Sequence, residues 1–274
     1  MKWTAALAAL ALSVAPSLAA DAVKGTFHYG RTKFQPVDAV AYQEAGPDGK
    51  PMTLIAFADF KIDRQVVHDA INTAGAFIEQ INAREGGNFV VVRLSAPDRC
   101  GLAGLVGNGQ QQIDLGDSFV SKASVGASRV AGDCSTAKPG KMFDDAYDFR
   151  LTYDLPLTVI PKPSPLPAGG GEAGQSYLAL VKAIQAADWN TAHLRLRKDE
   201  VPQEKPKDIR NYFDGIALNY PKSASVAGGL MKGDRANLDI QGIDHDGKKI
   251  RGVVAMRKTG GTWGVVEQSL FFNP

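Results

Sequence analysis

The sequence predicts an α+β protein: a mainly-β, sandwich-like first half with one helix, then a second half in which helices precede an antiparallel sheet. Strand-like runs rich in β-branched and aromatic residues dominate residues 21–160. Residues 172–274 show helical stripes followed by four strand-like runs. Between them, residues 161–171 (PKPSPLPAGGG) carry prolines at alternate positions and then three glycines. This composition predicts an extended linker with a glycine swivel between two domains.

In the first half, the strand predictions come from composition and from alternation of apolar and polar residues. The predicted strands are residues 25–29, 37–43, 53–58, 89–94 and 149–157. One helix interrupts them. Its apolar residues recur at helical spacing from Val67 to Ile81, Asp63 is placed to cap its start, and Gly86 and Gly87 are placed to end it.

In the second half, the order of elements is more distinct. Tyr177, Leu180, Val181 and Ile184 form an i, i+3, i+4, i+7 stripe. A short helical piece is expected near residues 190–196, and a second stripe runs from Ile209 to Tyr220, where Pro221 stops it. Short glycine-containing turns then separate four predicted strands, which are residues 223–231, 233–243, 248–258 and 262–272.

The first twenty residues have the layout of a secretory signal peptide. Lys2 precedes an apolar run, Pro16 breaks the run, and small residues end at Ala20. No later apolar run approaches the ~20 residues of a membrane helix. We therefore expect an exported protein, periplasmic or secreted, with no membrane span.

The composition narrows the classes of partner and cofactor. Lys+Arg 31 against Asp+Glu 29 gives a net charge of +2, which excludes the basic field of a nucleic-acid-binding protein. The four histidines are scattered without metal-ligand spacing, and no phosphate-binding glycine motif is present, so we expect neither a metal nor a cofactor. The mixed charges from Arg195 to Glu200 predict an ordinary solvated surface.

Export also changes what the two cysteines predict. In an oxidising compartment, Cys100 and Cys134 are expected to form a disulfide with each other. A catalytic or redox thiol would need a low-pKa environment or a CxxC partner, and the sequence shows no sign of either.

Two segments resemble known domains. The helix GQSYLALVKAIQAADW, a second aromatic-rich helix and strands ending in GTWGVVEQSLFF resemble the nuclear-transport-factor-two-like superfamily, the cone fold. This resemblance implies a curved sheet around helices with a pocket, and a homodimer through the open sheet face. The first half, from GTFHYG to FRLTYDLPL, is similar to an uncharacterised domain of exported bacterial proteins.

Successive side chains of a strand point to opposite faces of the sheet, and this alternation tests whether the expected pocket holds catalytic residues. If the apolar sets of the last three strands face the helices, Asp239, Arg251 and Glu267 point to solvent. On the last strand, the inward set would then be Gly264, Val266, Gln268, Leu270 and Phe272. The pocket would offer Gln268, with Tyr177, Trp189 and Tyr212 as further lining residues, and no carboxylate base. A one-residue bulge would reverse this parity.

These observations predict no catalytic residue. The sequence favours an exported, non-catalytic, two-domain protein that binds a partner protein or an apolar small ligand. The alternative is a small-molecule isomerase or cyclase that uses the pocket of the second domain.

Overall fold

The structure is a computed structural model that describes residues 22–46 and 49–272. The predicted signal peptide, residues 1–20, lies outside the described residues. None of the helices in the described ranges is long and apolar enough to span a membrane.

In the described part of the first half, residues 22–46 and 49–160, there are eleven strands and two helices. They are β1 (Ala22–Tyr29), β2 (Thr32–Phe34), β3 (Asp38–Ala45), β4 (Pro51–Ala58), α1 (Arg64–Asp69), α2 (Thr73–Asn82), β5 (Phe89–Ala96), β6 (Arg99–Val106), β7 (Gln111–Asp114), β8 (Phe119–Val125), β9 (Arg129–Ser135), β10 (Gly140–Met142) and β11 (Asp145–Val159).

As far as residue 272, where the description of the chain ends, the second half has five strands, three α-helices and two 3₁₀ turns. They are β12 (Ser164–Leu166), α3 (Gly171–Ala186), α4 (Trp189–Ala192), the first 3₁₀ turn (Lys198–Glu200), α5 (Ile209–Ile216), the second 3₁₀ turn (Ala217–Asn219), β13 (Ser223–Lys232), β14 (Arg235–Ile243), β15 (Lys249–Thr259) and β16 (Thr262–Phe272).

The sheet of the first half closes on itself, so the expectation of a sandwich is wrong. Strand β11 is 15 residues long and pairs with both β1 and β9. Its last residues also pair in parallel with β3. The circuit then runs through β3, β4, β5, β6, β8 and β9 back to β11. The aromatic and aliphatic side chains inside this circuit form one core, which includes Phe27, Phe57, Leu102, Phe149 and Leu151.

Two helices cover the outer face of β3 to β5, where one helix was predicted. The backbone of Ala70 is extended and ends α1, and the side chain of Asn72 accepts a hydrogen bond from the N–H of Ala74 to begin α2. Phe77 and Ile81 of α2 are buried in the core that this face forms. Strands β3 and β4 are therefore buried on both faces, which accounts for their nearly continuous apolar sequence.

The proline–glycine run is extended at first, but it is tied to the second sheet. Ser164–Leu166 pairs with β13 as strand β12, and the N–H of Gly169 donates to the carbonyl of Val226. Gly170 has a φ of 65°, and a Cβ there would lie 2.8 Å from Val226 Cγ1. The glycine therefore permits a left-handed turn and close packing against β13, rather than a free swivel.

The second sheet has the order β12-β13-β14-β15-β16, antiparallel throughout. Its inward residues form a core with α3 and α5, and this core includes Tyr177, Leu180, Phe213, Leu238 and Val254. On the other face, Asp239, Arg251 and Glu267 are exposed. The helices-then-sheet order is therefore as the sequence predicts.

A β-bulge in β16 corrects part of the predicted parity. Ala255 lies opposite Glu267 while Met256 lies opposite Val265, so Val266 is the extra residue. Before the bulge, Trp263 and Val265 are buried, and Val266 is 55% exposed. The predicted inward position of Val266 is therefore wrong. After the bulge the predicted parity holds, because Leu270 packs against the core and Gln268 is hydrogen-bonded to Tyr177.

The two halves are joined by polar contacts. Glu79 of α2 accepts a hydrogen bond from Arg235 at 2.8 Å and lies 3.6 Å from Arg257. Lys232 donates to the carbonyl oxygen of Ala70 at 3.1 Å. These contacts fix the hairpin between β13 and β14 against the ends of the two helices of the first half.

Cys100 and Cys134 form a disulfide across the shortest seam of the closed sheet. Strands β6 and β8 share two paired positions, Arg99 with Val120 and Cys100 with Phe119. Cys134 lies in β9, on the far side of β8, and both cysteines are fully buried in the core. The bond therefore links β6 and β9 across β8, beside the short register of β6 with β8.

Replacing both cysteines by alanine should lower the free energy of unfolding by about 3–4 kcal/mol, because the bond closes a 34-residue separation in the unfolded chain. Urea unfolding of the variant and of the oxidised wild type measures the difference. Reductant should leave the variant unchanged and move the wild type towards it. A loss below about 1 kcal/mol would contradict the entropic account of this bond.

Candidate functional site

The candidate site is a cavity of about 450 Å³ at one end of the second sheet. Its lining comes from the second 3₁₀ turn with the two residues after it, from the turn between β14 and β15 with the start of β15, and from the end of β16. Arg197, just before the first 3₁₀ turn, also lines it. The lining residues are Arg197, Leu218, Asn219, Tyr220, Pro221, Asp244, His245, Asp246, Ile250, Gln268, Leu270 and Phe271. The lining therefore combines apolar side chains with amide, phenol, imidazole, guanidinium and carboxylate groups.

Gln268 begins a chain of hydrogen bonds that runs from the cavity into the protein. Its Oε1 accepts from the hydroxyl of Tyr177 at 3.4 Å, and its Nε2 donates to the carbonyl oxygen of Asn219. The side-chain Nδ2 of Asn219 in turn donates to Glu200 Oε1 at 3.0 Å. Gln268 reaches this position because the bulge at Val266 turns the second part of β16 toward the helices.

Glu200, in the first 3₁₀ turn, is the centre of this network. Its Oε2 accepts a hydrogen bond from the hydroxyl of Tyr220, and its backbone carbonyl accepts one from the hydroxyl of Tyr212. Arg197 Nη2 lies 3.3 Å from Glu200 Oε1, and the Glu200 side chain is only 6% exposed. Through its carboxylate and its backbone carbonyl, Glu200 thus joins three segments of the second half: its own turn, α5 and the end of the second 3₁₀ turn.

The structure places the four predicted pocket residues differently. Gln268 lines the cavity, and Tyr177 is fully buried directly behind it. Tyr212 contributes its hydroxyl to the Glu200 network but does not line the cavity. Trp189 packs edge-on against Tyr212 with ring centroids 5.7 Å apart and is not a lining residue.

The interpretation of residues 195–200 as a solvated mixed-charge surface is wrong for Arg197 and Glu200. Asp199 and Lys198 are exposed as expected, whereas the Arg197 side chain is mostly covered and Glu200 is buried. The 3₁₀ turn directs the Glu200 side chain inward and leaves the neighbouring Asp199 side chain in solvent. A single charged residue in a three-residue turn has no periodicity, so nothing in its spacing signals burial.

Hydrogen bonds within the protein fix the positions of the titratable groups around the cavity. Asp244 accepts hydrogen bonds from the N–H groups of Asp246 and Lys248, at 2.9 and 2.7 Å. His245 Nε2 is 3.0 Å from the carbonyl oxygen of Ala217. Burial and the neighbouring Glu200 carboxylate raise the pKa of Tyr220, so its hydroxyl stays protonated. These groups offer fixed hydrogen bonds rather than a free base.

Asp244 and Asp246 are the carboxylates among the lining residues, whereas Glu200, the carboxylate at the centre of the network, does not line the cavity. Among the described residues, no cluster of three or more His, Cys, Asp or Glu side chains could hold a metal ion. The arrangement favours recognition of a ligand by shape and hydrogen bonding.

Comparisons of the chain with protein-family models, with curated proteins and with solved structures find no match.

Replacing Glu200 by alanine should lower the free energy of unfolding by about 3–5 kcal/mol, because Tyr220, Asn219 and Arg197 would lose a buried acceptor. The matched control is Asp199→Ala, one residue away, where a mostly exposed carboxylate pairs with the same arginine. That change should cost less than about 1 kcal/mol. Equal losses for the two variants in urea unfolding would contradict a central role for Glu200.

The buried tyrosines predict a stability limit at high pH. Burial raises the pKa of Tyr153 to about 12 and raises the pKa of Tyr42, Tyr177 and Tyr220 further. In the unfolded chain these phenols ionise near pH ~10. The stabilisation from keeping them neutral is therefore complete below that pH and is lost as the pH rises towards the folded-state values.

In a pH titration of the folded protein, the ultraviolet absorbance of phenolate should show these four tyrosines ionising only together with the loss of native circular dichroism. In concentrated urea, all seven tyrosines of the chain should ionise near pH ~10. Ionisation of all seven at that pH with the native dichroism retained would be the contrary result.

Proposed function

We propose that this chain is an exported, non-catalytic, two-domain binding protein whose second half takes a small, partly apolar ligand in the cavity beside Gln268. Export is supported by the signal-like first twenty residues and by a disulfide of the kind that persists in oxidising compartments. The cone-fold resemblance and a homodimer through the exposed face of the second sheet belong to the same proposal.

The cavity carries the proposal. Its volume of about 450 Å³ is within the range of small-ligand sites. Ile250, Leu270 and Phe271 supply an apolar wall, and Gln268 supplies a polar group. The Oε1 and Nε2 atoms of Gln268 are both hydrogen-bonded within the protein. The position of this side chain is therefore fixed before a ligand arrives.

The possible bases on the cavity wall already have partners, which favours binding over the isomerase or cyclase alternative. Asp244 accepts hydrogen bonds from two backbone N–H groups, and His245 Nε2 lies 3.0 Å from a backbone carbonyl oxygen. Asp246 lies 3.8 Å from the ammonium group of Lys248. Such an enzyme needs a general base within hydrogen-bond reach of its substrate. The Glu200 side-chain oxygens already accept from Tyr220 and Asn219 and lie beside Arg197. A partner protein as the ligand remains the other form of the binding proposal.

Native mass spectrometry of the protein isolated from its own periplasm tests this function. The wild type should carry a retained small-molecule mass. Leu218→Trp, on the exposed apolar rim of the cavity, should lose that mass because the larger side chain occupies the cavity entrance. Leu230→Trp makes the same change at an exposed position outside the cavity and should retain the mass.

Retention by both variants, or an empty wild type, would contradict the ligand proposal. Catalysed conversion of the released molecule by the wild type, abolished in Asp246→Asn on the cavity wall, would establish the enzyme alternative instead.

A further inference from the structure

A second cavity of about 910 Å³ lies where α2 approaches the hairpin between β15 and β16. Asn82 at the end of α2 forms one wall, and the second half forms the rest. The lining residues are Asn82, Leu194, Leu196, Lys198, Asp199, Arg257, Thr259, Thr262, Gly264, Val265 and Val266. We call this surface the α2 groove. Its volume is that of a small-molecule site rather than of a flat protein interface.

The floor of the α2 groove is apolar and unusually exposed. Leu194 is 59% exposed and Val266 is 55% exposed, although both lie beside the core of the second half. Val266 is there because it is the extra residue of the bulge, and bulges commonly re-aim a side chain next to a functional site. Leaving two large aliphatic side chains in one concavity uncovered favours an apolar occupant.

The rim of the α2 groove is positively charged. Lys198 is exposed and has no ion-pair partner among the residues that the structure describes. Arg257 makes only long contacts, 3.6 Å to Glu79 and 3.5 Å to Asp234. Asp199, the carboxylate in the lining, lies 3.0 Å from Arg197, which also contacts the buried Glu200 at 3.3 Å. The residues that line the α2 groove therefore carry two positive charges and one negative charge.

We propose that the α2 groove binds an amphiphile that has one anionic head group and an aliphatic chain, of the fatty-acid type. The head group is placed at Lys198 and Arg257, and the chain lies against Leu194, Leu196 and Val266. One uncompensated cation matches one negative charge, and the aliphatic floor matches a hydrocarbon chain.

Titration calorimetry of the full chain without its signal segment, with dodecanoate and with dodecanol, tests this proposal. Dodecanoate should bind more tightly than dodecanol. Val266→Asn should weaken dodecanoate by about tenfold or more, because an apolar contact is lost. The matched control, Val253→Asn, changes an exposed valine on the outer face of β15 that does not line the groove, and its affinity should equal that of the wild type.

The head-group assignment has its own variant. Lys198→Gln should weaken dodecanoate several-fold and leave dodecanol unchanged. No binding of dodecanoate by the wild type, equal affinity for dodecanol, or equal weakening by Val253→Asn and Val266→Asn would overturn the proposal. Leu218→Trp changes the other cavity and should leave dodecanoate binding intact. The proposal for the α2 groove can therefore be contradicted independently of the proposal for the cavity beside Gln268.

Discussion

One extra residue in β16 determines what both cavities of the second half contain. Without the bulge at Val266, strict alternation from the buried Trp263 and Val265 would send Gln268 to the solvent face. With it, Gln268 meets Tyr177 and joins the Glu200 network, while Val266 itself lies in the α2 groove. The local irregularity therefore separates a polar, internally bonded cavity from an apolar one along a single strand.

The first half depends on closure in a comparable way. Its long strand β11 contacts β1, β3 and β9, so the strands that were expected to form two layers share one continuous ladder. The paired register between β6 and β8 is short, with two positions, and two further backbone hydrogen bonds join β8 to the turn before β6. The buried disulfide lies beside this short register and links β6 to β9. A covalent bond thus supplements a short ladder in the closed circuit.

The sequence could predict the elements whose side chains follow a regular period. The four last strands, α3 and the strands β3, β4 and β5 all have strong alternation or apolar runs, and the structure contains each of them. Strands β6 to β10 went unpredicted because glycine, serine and aspartate interrupt their pattern, as in Gly101 and Gly104 of β6. Glycine is required at Gly104, where a Cβ would lie 2.3 Å from the carbonyl oxygen of Phe89. Close packing between strands therefore removed the very signal that identifies a strand.

The site was harder to predict for a different reason. Glu200 and Arg197 act through a three-residue turn, and the network they form joins side chains from distant parts of the chain. The spacing of apolar and polar residues along a sequence gives no information about such long-range contacts. Gln268 could be named from the sequence only because the apolar residues around it, on β16 and on the neighbouring strand, indicated the inward face.

The contact between the two halves shares residues with the α2 groove. Glu79 binds Arg235 and approaches Arg257, and Lys232 donates to the end of α1, so the second sheet meets the first half through its hairpins rather than through the proline–glycine run alone. Arg257 also belongs to the rim of the α2 groove, and Asn82 follows Glu79 by one helical turn. Arg257 therefore takes part both in the contact between the halves and in the rim of the groove. An anionic ligand there would compete with Glu79 for Arg257, which couples occupancy of the groove to the contact between the halves.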